Sequence, residues 1–170
     1  MRKNADHFSC AVLTMSDKGS RGEREDESGP MLQEMLRDEG YQLRAYKIVP
    51  DQIEVIAATL MEWVDQDKID LILTTGGTGV SPTDLTPEAM RQVIEKEIPG
   101  MAEAMRAASL LKTPHAVLSR SMAGIRGTSL IINLPGSKRA AMENITVLLP
   151  ALPHALDKIK GSTSDCANLT

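Results

Sequence analysis

Leu-Ile-Leu-Thr-Thr-Gly-Gly-Thr-Gly-Val-Ser-Pro-Thr-Asp-Leu-Thr-Pro, residues Leu71–Pro87, joins a short apolar run to three glycines in four positions and then to a helix start. Leu71–Leu73 is bounded by Asp70 and by Thr74–Thr75, the pattern of a strand buried on both faces. Gly76, Gly77 and Gly79 have no Cβ, so their N–H groups can curl into a concave anion cradle. Asp84 falls in the loop that follows, with Thr86 placed as an N-cap and Pro87 at the first helical position. A phosphate cradle beside a carboxylate suits a metal–nucleotide site. The same residues also suit a tight strand-to-helix turn with a capping Asp, and the loop alone does not separate the two.

Working outward, the chain alternates strands and helices. Phe8–Met15 reads as a buried strand and Ser16–Pro30 as a polar loop, long enough to suggest function or disorder. Ser28 is placed to cap a helix running to about Glu39, with Gly40 as its C′ glycine. Tyr41–Val49 is a second strand. Asp51 and Glu54 have capping-box spacing ahead of a helix whose apolar face carries Ile53, Ile56, Leu60 and Val64. Beyond the glycine loop, Pro87–Lys96 and Met101–Leu111 read as helices broken at Pro99–Gly100. Ala116–Arg120 reads as a short strand or extended segment, and Ser121–Gly127 as a loop. Ser129–Leu134 is a further buried strand running into Pro135-Gly136-Ser137, with Ser137 capping a helix over about Lys138–Leu149. After Pro150 a last helix spans Ala151–Lys160.

This alternation predicts an α/β fold: one three-layer α/β/α domain with a mostly parallel central sheet, its core over residues 8–161 and a flexible tail over 162–170. Ligands in such sheets bind beyond the carboxyl ends of the strands. Asp17 follows the first strand, Asp51 the second, Asp84 and the glycines the third, and Gly136–Ser137 a later one. All are therefore expected on one edge. Carboxylates beside bound phosphates need an intervening cation, and Mg²⁺ is commonly held by one or two carboxylates plus substrate phosphates. The reaction class this implies is Mg²⁺-assisted phosphoryl or nucleotidyl transfer, achieved by positioning and charge neutralisation. Asp51 can cap its helix, bind a metal, or do both; Asp17 also suits an ordinary turn. Arg120 and Arg126 flank a possible site segment and also suit the surface, while Lys138 and Arg139 stand at a helix start against the dipole preference, which suits either a phosphate-facing role or a solvated charge; none has an assigned role.

Composition removes other classes. One Phe, one Trp and two Tyr in 170 residues leave no stacking platform for single-stranded nucleic acid, and the net charge of −4 is wrong for a DNA binder. Cys10 lies in the first strand and Cys166 in the polar tail, with no CxxC spacing. A disulfide framework or structural zinc site is therefore not expected. The polar start of the chain and the lack of a long apolar run predict no signal peptide, no membrane span and a cytoplasmic location. Neither GxxxxGK[ST] nor GxGxxG is present, so P-loop and dinucleotide-binding readings fail.

Further landmarks accompany the glycine loop: Thr14-Met15-Ser16-Asp17, Ser28-Gly29-Pro30, Val49-Pro50-Asp51, Pro99-Gly100, Leu118-Ser119-Arg120-Ser121, Gly124-Ile125-Arg126-Gly127 and Ile132-Asn133-Leu134-Pro135-Gly136. With them the chain, from about Phe8 to Gly161, resembles the molybdopterin-binding Mog/MoaB family, which includes the G domains of molybdenum-insertion proteins such as gephyrin. The resemblance implies adenylyl transfer from ATP to the terminal phosphate of molybdopterin, giving adenylyl-molybdopterin and pyrophosphate in molybdenum cofactor biosynthesis. A non-catalytic molybdopterin carrier is the alternative within the family. By match to the family motifs, Asp51 and Asp84 are the catalytic carboxylates, acting through Mg²⁺. Gly76, Gly77, Thr78 and Gly79 then line the nucleotide and phosphate pocket, and Asn133, Pro135, Gly136 and Ser137 form its other wall. Asp17 carries over as a binding residue. Some relatives have Asn where this chain has Ser137, and a hydroxyl can serve the same capping role. The resemblance also implies a homotrimer, with the molybdenum-insertion protein as an expected partner.

Overall fold

Strand burial alternates in a way that needs cover on both faces. Along β1 (Ser9–Met15), Cys10 and Val12 enter one apolar cluster, and Ala11, Leu13 and Met15 enter a second. The period-2 alternation recurs in β3 (Leu71–Thr75), where Leu71 and Leu73 oppose Ile72, and in β6 (Ser129–Leu134), where Leu130 and Ile132 oppose Ile131. A computed structural model describes residues 5–163. Cys166 and residues 164–170 of the expected tail lie outside them.

The six strands are ordered β2-β1-β3-β6-β5-β4. β2 (Gln42–Val49), β1, β3 and β6 run parallel; β5 (Ala123–Arg126) and β4 (Lys96–Glu97) continue the sheet antiparallel. One face is packed by α2 (Ser28–Asp38), α5 (Pro99–Leu110), α6 (Lys138–Leu148) and α7 (Leu152–Ile159). The other is packed by α3 (Ile53–Asp65) and α4 (Thr86–Val93). The short α1 (Asp17–Ser20) follows β1. The three-layer, mostly parallel reading holds. From β1 the chain passes to β2 on one side and later to β3 on the other, so the switch point lies at the carboxyl ends of β1 and β3.

Several local expectations change. Ser121–Gly127 is mainly the strand β5, between β6 and β4, and Lys96–Glu97 pairs with it as the edge strand β4 rather than ending a helix. Isolated short strands carry too little pattern to be read without their partner. Pro114–Leu118 is a 3₁₀ turn, not extended, capped by Thr113 Oγ1, which accepts from His115 N at 3.3 Å. Three predicted caps do other work. Ser28 is the first helical residue of α2, and Asp26 Oδ1 accepts from Ser28 N and Gly29 N, both at 3.0 Å. Thr86 is the first residue of α4, and its hydroxyl donates to Gly76 O at 2.8 Å. Asp51 makes no capping bond to α3; its carboxylate reaches across to β1's exit instead. Ser137 does cap α6, accepting from Ala140 N at 3.4 Å. Cys10 is buried and unpaired, and burial pushes its thiol up to about 12, so it is an inert apolar residue at neutral pH.

Candidate functional site

The carboxyl ends of β1, β3 and β6 open onto a cavity of about 610 Å³. Thr14 and Met15 border it from β1, Thr75, Gly76 and Gly77 from β3, and Gly136 and Ser137 from the turn after β6. Asp51 enters from the end of β2 and Asp84 from the loop before α4. Lys138 and Arg139, in the first turn of α6, and Arg24 bring positive charge to a wall otherwise rich in carboxylates. The N-terminus of α6 adds its partial positive charge to the same wall.

The acidic side chains are braced rather than neutralised. Asp51 Oδ2 accepts from Asp17 N at 3.0 Å, and Asp17 Oδ1 accepts from Asp51 N at 2.9 Å, a reciprocal clip between the exits of β1 and β2. Half-burial raises the Asp51 carboxyl above its ordinary value. The Asp17 N–H works against that rise, and the charges of Asp17 and Asp84 add to it. Asp84 Oδ2 accepts from Ser81 N at 2.8 Å, and Asp84 N donates to Ser81 O at 2.9 Å, closing a tight turn. Among the described residues no three His, Cys, Asp or Glu side chains gather to hold a metal ion. The donor set fits a cation only as a partial shell, which oxygens of a bound phosphate would complete.

The glycines are required by contact as well as conformation. Gly76 has φ +102°, and a Cβ there would lie 2.5 Å from Met15 O. Gly77 has φ +65°; its Cβ would collide with Thr86 Oγ1 and stand 3.3 Å from Asp51 Oδ1, so the loop passes directly beside that carboxylate. The Gly76 N–H donates to Leu134 O at 3.1 Å and is thereby committed inside the fold, which narrows the expected cradle to the residues after it. Two further bonds tie the walls together: Thr75 Oγ1 to Pro135 O at 2.6 Å and Ser28 Oγ to Gly136 O at 2.8 Å.

A second cavity of about 440 Å³ adjoins the first and shares Gly77, Asp84 and Gly136 with it. Thr78, Gly79 and Pro135 line this one, together with Arg106, Ser109 and Asn144, the last donating to Ser109 Oγ at 2.9 Å. Two chambers meeting at Asp84 and a glycine turn can seat two substrates with their reactive ends together.

Of the residues predicted from sequence, Asp51, Asp84, Gly76, Gly77, Gly136 and Ser137 border the first cavity, and Thr78, Gly79 and Pro135 the second. Asp17 sits behind Asp51 as its brace. Asn133 is fully buried under the wall and donates to Thr74 Oγ1 at 3.0 Å, while its Oδ1 has no partner. Asp26 was not foreseen. It borders the first cavity and accepts from the Thr14 and Tyr46 hydroxyls, both at 2.6 Å, as well as capping α2. Burial pushes its carboxyl up, but the bonds from Gly29 N, Thr14, Tyr46 and Ser28 N outweigh that and hold it below the ordinary range. The available signal was an Asp two residues ahead of Ser28-Gly29, the spacing of an Asx cap, masked by the acidic run Glu23–Glu27.

A three-layer α/β/α fold with two chambers, paired carboxylates and glycine turns at its switch point defines an α/β protein with its candidate ligand site at the carboxyl edge of the sheet. A family profile described as a probable molybdopterin binding domain matches residues 11–154. The molybdopterin adenylyltransferase of Helicobacter pylori is 44% identical over 155 residues, covering 89% of this chain and 87% of that protein. Gephyrin of Dictyostelium discoideum is 43% identical over 92% of this chain, which spans 23% of gephyrin's length. Among solved structures, the molybdopterin biosynthesis enzyme MoaB of Thermus thermophilus superposes with a TM-score of 0.86 at 48% identity, covering 91% of this chain and 98% of its own. The tungsten cofactor synthesizing protein MoaB of Pyrococcus furiosus gives 0.83 at 35% identity, over 90% and 97% of the two chains. The chain belongs to the molybdopterin-binding domain family.

Proposed function

We propose that this chain is a molybdopterin adenylyltransferase. A terminal phosphate oxygen of molybdopterin attacks the α-phosphorus of ATP, the bond from that phosphorus to the β-phosphate's bridging oxygen breaks, and pyrophosphate leaves with the bond's electrons. The observation that carries this reading is Asp51. It is a half-buried carboxylate with its carboxyl raised by burial and by two neighbouring carboxylates, beside Gly77 in a cavity that meets a second at Asp84. Left short of positive charge, such a cluster favours a cation arriving with phosphates. The close similarity to the Helicobacter pylori adenylyltransferase, nearly end to end, supports the same reaction.

Asp51 and Asp84 would hold the Mg²⁺, which when bound neutralises phosphate charge and polarises the α-phosphoryl group. The rest falls to the chain itself. Asp17 orients Asp51 through the reciprocal clip. The glycine turns let substrate oxygens approach the main chain, and the start of α6 offers backbone donors and Lys138 to an anion. From the family resemblance we also infer a homotrimer, a cytoplasmic location and delivery of product to the molybdenum-insertion protein. Among the described residues no helix is long and apolar enough to cross a membrane.

Pyrophosphate release on mixing the chain with molybdopterin, ATP and Mg²⁺ tests the proposal, with each component omitted in turn. Release that needs all three is expected. Tight molybdopterin binding without release would assign the chain to the carriers, and sedimentation velocity checks the trimer.

A further inference from the structure

Arg120 lies between the 3₁₀ turn and β5 and borders neither cavity. Its bonds nevertheless all run to the segment that carries Asp84. The main-chain N–H of Arg120 donates to Thr78 O at 2.8 Å. Nε donates to Gly79 O and Nη2 to Asp84 O, both at 2.6 Å. Nη1 meets Glu88 Oε1 at 2.5 Å, and Nη2 also reaches Glu88 Oε2 at 3.2 Å. One side chain thus spans both ends of the 79–84 loop and fastens it to the first turns of α4. Its bond to Asp84 goes to the main-chain carbonyl, so the Asp84 carboxylate is placed without being consumed in that bond.

Arg120 is itself held. Arg106, on α5, donates from Nη1 to Ser121 O at 2.9 Å and to Ser119 O at 3.4 Å, the carbonyls on either side of Arg120. The two arginines act in series, one fixing the 119–121 segment and the next fixing the loop. A phosphate-binding role for Arg120 fits poorly, because Nε, Nη1 and Nη2 are each engaged with the protein. The task also needs a planar fork: three acceptors lie in different directions, and an ammonium on a flexible stem cannot serve them together.

We propose that Arg120 is a positioning residue for the reaction: it pins the Gly79 and Asp84 carbonyls and thereby sets the Asp84 carboxylate at the junction of the two cavities, with Arg106 holding Arg120 in register. The proposal rests on the adenylyl-transfer reading of Asp84. Its specific content is that the loop's order, and not the charge of residue 120, governs how Asp84 presents itself.

The test uses Arg120→Lys, which keeps the charge and loses the fork, and Arg126→Lys as a comparison. Arg126 makes an equally dense set of bonds, to Asp65 and to Val93 O, far from Asp84. Three readouts are followed on folded protein: amide hydrogen exchange over residues 78–85, Mn²⁺ affinity with ATP present, and kcat and KM. Arg120→Lys is expected to speed exchange in 78–85 by about tenfold or more while β3 and α3 stay protected. It should weaken Mn²⁺ binding by about tenfold, and lower kcat by about 10- to 100-fold with the KM for ATP within about threefold of wild type. Added guanidinium should restore part of the kcat of Arg120→Ala. Arg126→Lys should lower the thermal midpoint and leave all three readouts near wild type. Wild-type exchange and Mn²⁺ affinity in Arg120→Lys would overturn the proposal. If that variant does not fold, Glu88→Gln, which loosens the anchor of Arg120, should move exchange and Mn²⁺ affinity the same way by a smaller factor, and wild-type values there would overturn it equally. A wild-type chain that releases no pyrophosphate defeats the adenylyl-transfer reading, whereas exchange and Mn²⁺ affinity still decide the clamp.

Discussion

Asp70 and Asp51 stand at opposite ends of the same sheet, and they are treated in opposite ways. Asp70, ahead of β3, accepts from Ser9 N at 2.8 Å, from Ser9 Oγ at 2.9 Å and from Lys160 Nζ at 2.5 Å. Burial raises its carboxyl, but Lys160 and the two Ser9 bonds more than offset this and hold it below the ordinary range. Asp51, after β2, has one bond from Asp17 N and two carboxylates for neighbours, and its carboxyl is raised. At the amino end Asp70 is closed by a cation and two further donors, while at the carboxyl end Asp51, unlike the fully bonded Asp26 beside it, is left without a cation. A buried carboxylate with a complete set of partners stabilises the fold, and one left short of positive charge is a place for a ligand to supply it.

The strongest way to break this contrast is to neutralise each side. Asp84→Asn is expected to fold and retain much of its molybdopterin affinity while losing kcat by about a hundredfold or more. Near-wild-type pyrophosphate release in that variant would remove the carboxylates from the mechanism. Gly77→Ala should reduce both stability and turnover, because it places an L-residue at φ +65° and drives its Cβ into Thr86 Oγ1. The backbone component alone is worth about 1–2 kcal/mol, to be read from urea unfolding.

Asp70→Asn should act on stability alone, lowering it by about 1–3 kcal/mol at neutral pH through the loss of charge-assisted bonds. Steady-state kinetics on the folded variant should match wild type, and a large fall in kcat would erase the division between the two ends. The smallest effect is the most diagnostic. Because the folded-state carboxyl of Asp51 is raised, its favourable contribution is present below the unfolded value of about 3.9 and is lost as pH rises through the folded value. Asp51 is therefore a liability to the ligand-free protein at neutral pH. Asp51→Asn, whose amide oxygen can still accept from Asp17 N, should raise the thermal midpoint slightly at pH 7 and not at pH 3. For Asp70 the sign reverses: its contribution is present above about 3.9 and is lost as pH falls through the depressed folded value, so Asp70→Asn should cost less as the medium is acidified. Thermal melts across pH 3–8 separate the two slopes.

That most of these residues gather at one edge, around the candidate site, was legible from sequence because it follows a rule of topology. In a parallel sheet every β-to-α turn faces the same edge, so residues placed after separate strands had to meet. The three buried strands β1, β3 and β6 were readable for a similar reason: Leu71–Leu73 and Leu130–Ile132 carry enough apolar side chains to define a strand alone. β4 and β5 were not readable, since two and four residues mean little until they pair with each other and with β6. The cap assignments at Ser28, Asp51 and Thr86 failed because a side chain placed by local spacing was claimed by a partner distant in sequence.

By itself, then, the sequence determined the strand-and-helix alternation, the edge on which the acidic residues and glycines gather, and the family the chain resembles, because these follow from local periodicity and from motif spacing. Tertiary structure alone decided which carboxylate is satisfied and which is left short. It also made Asp26 a four-bond hub, and it turned Arg120 from an isolated charge into a clamp on the Asp84 loop. Those roles depend on hydrogen bonds between residues such as Arg120 and Gly79, 41 positions apart, whose directions no local pattern encodes.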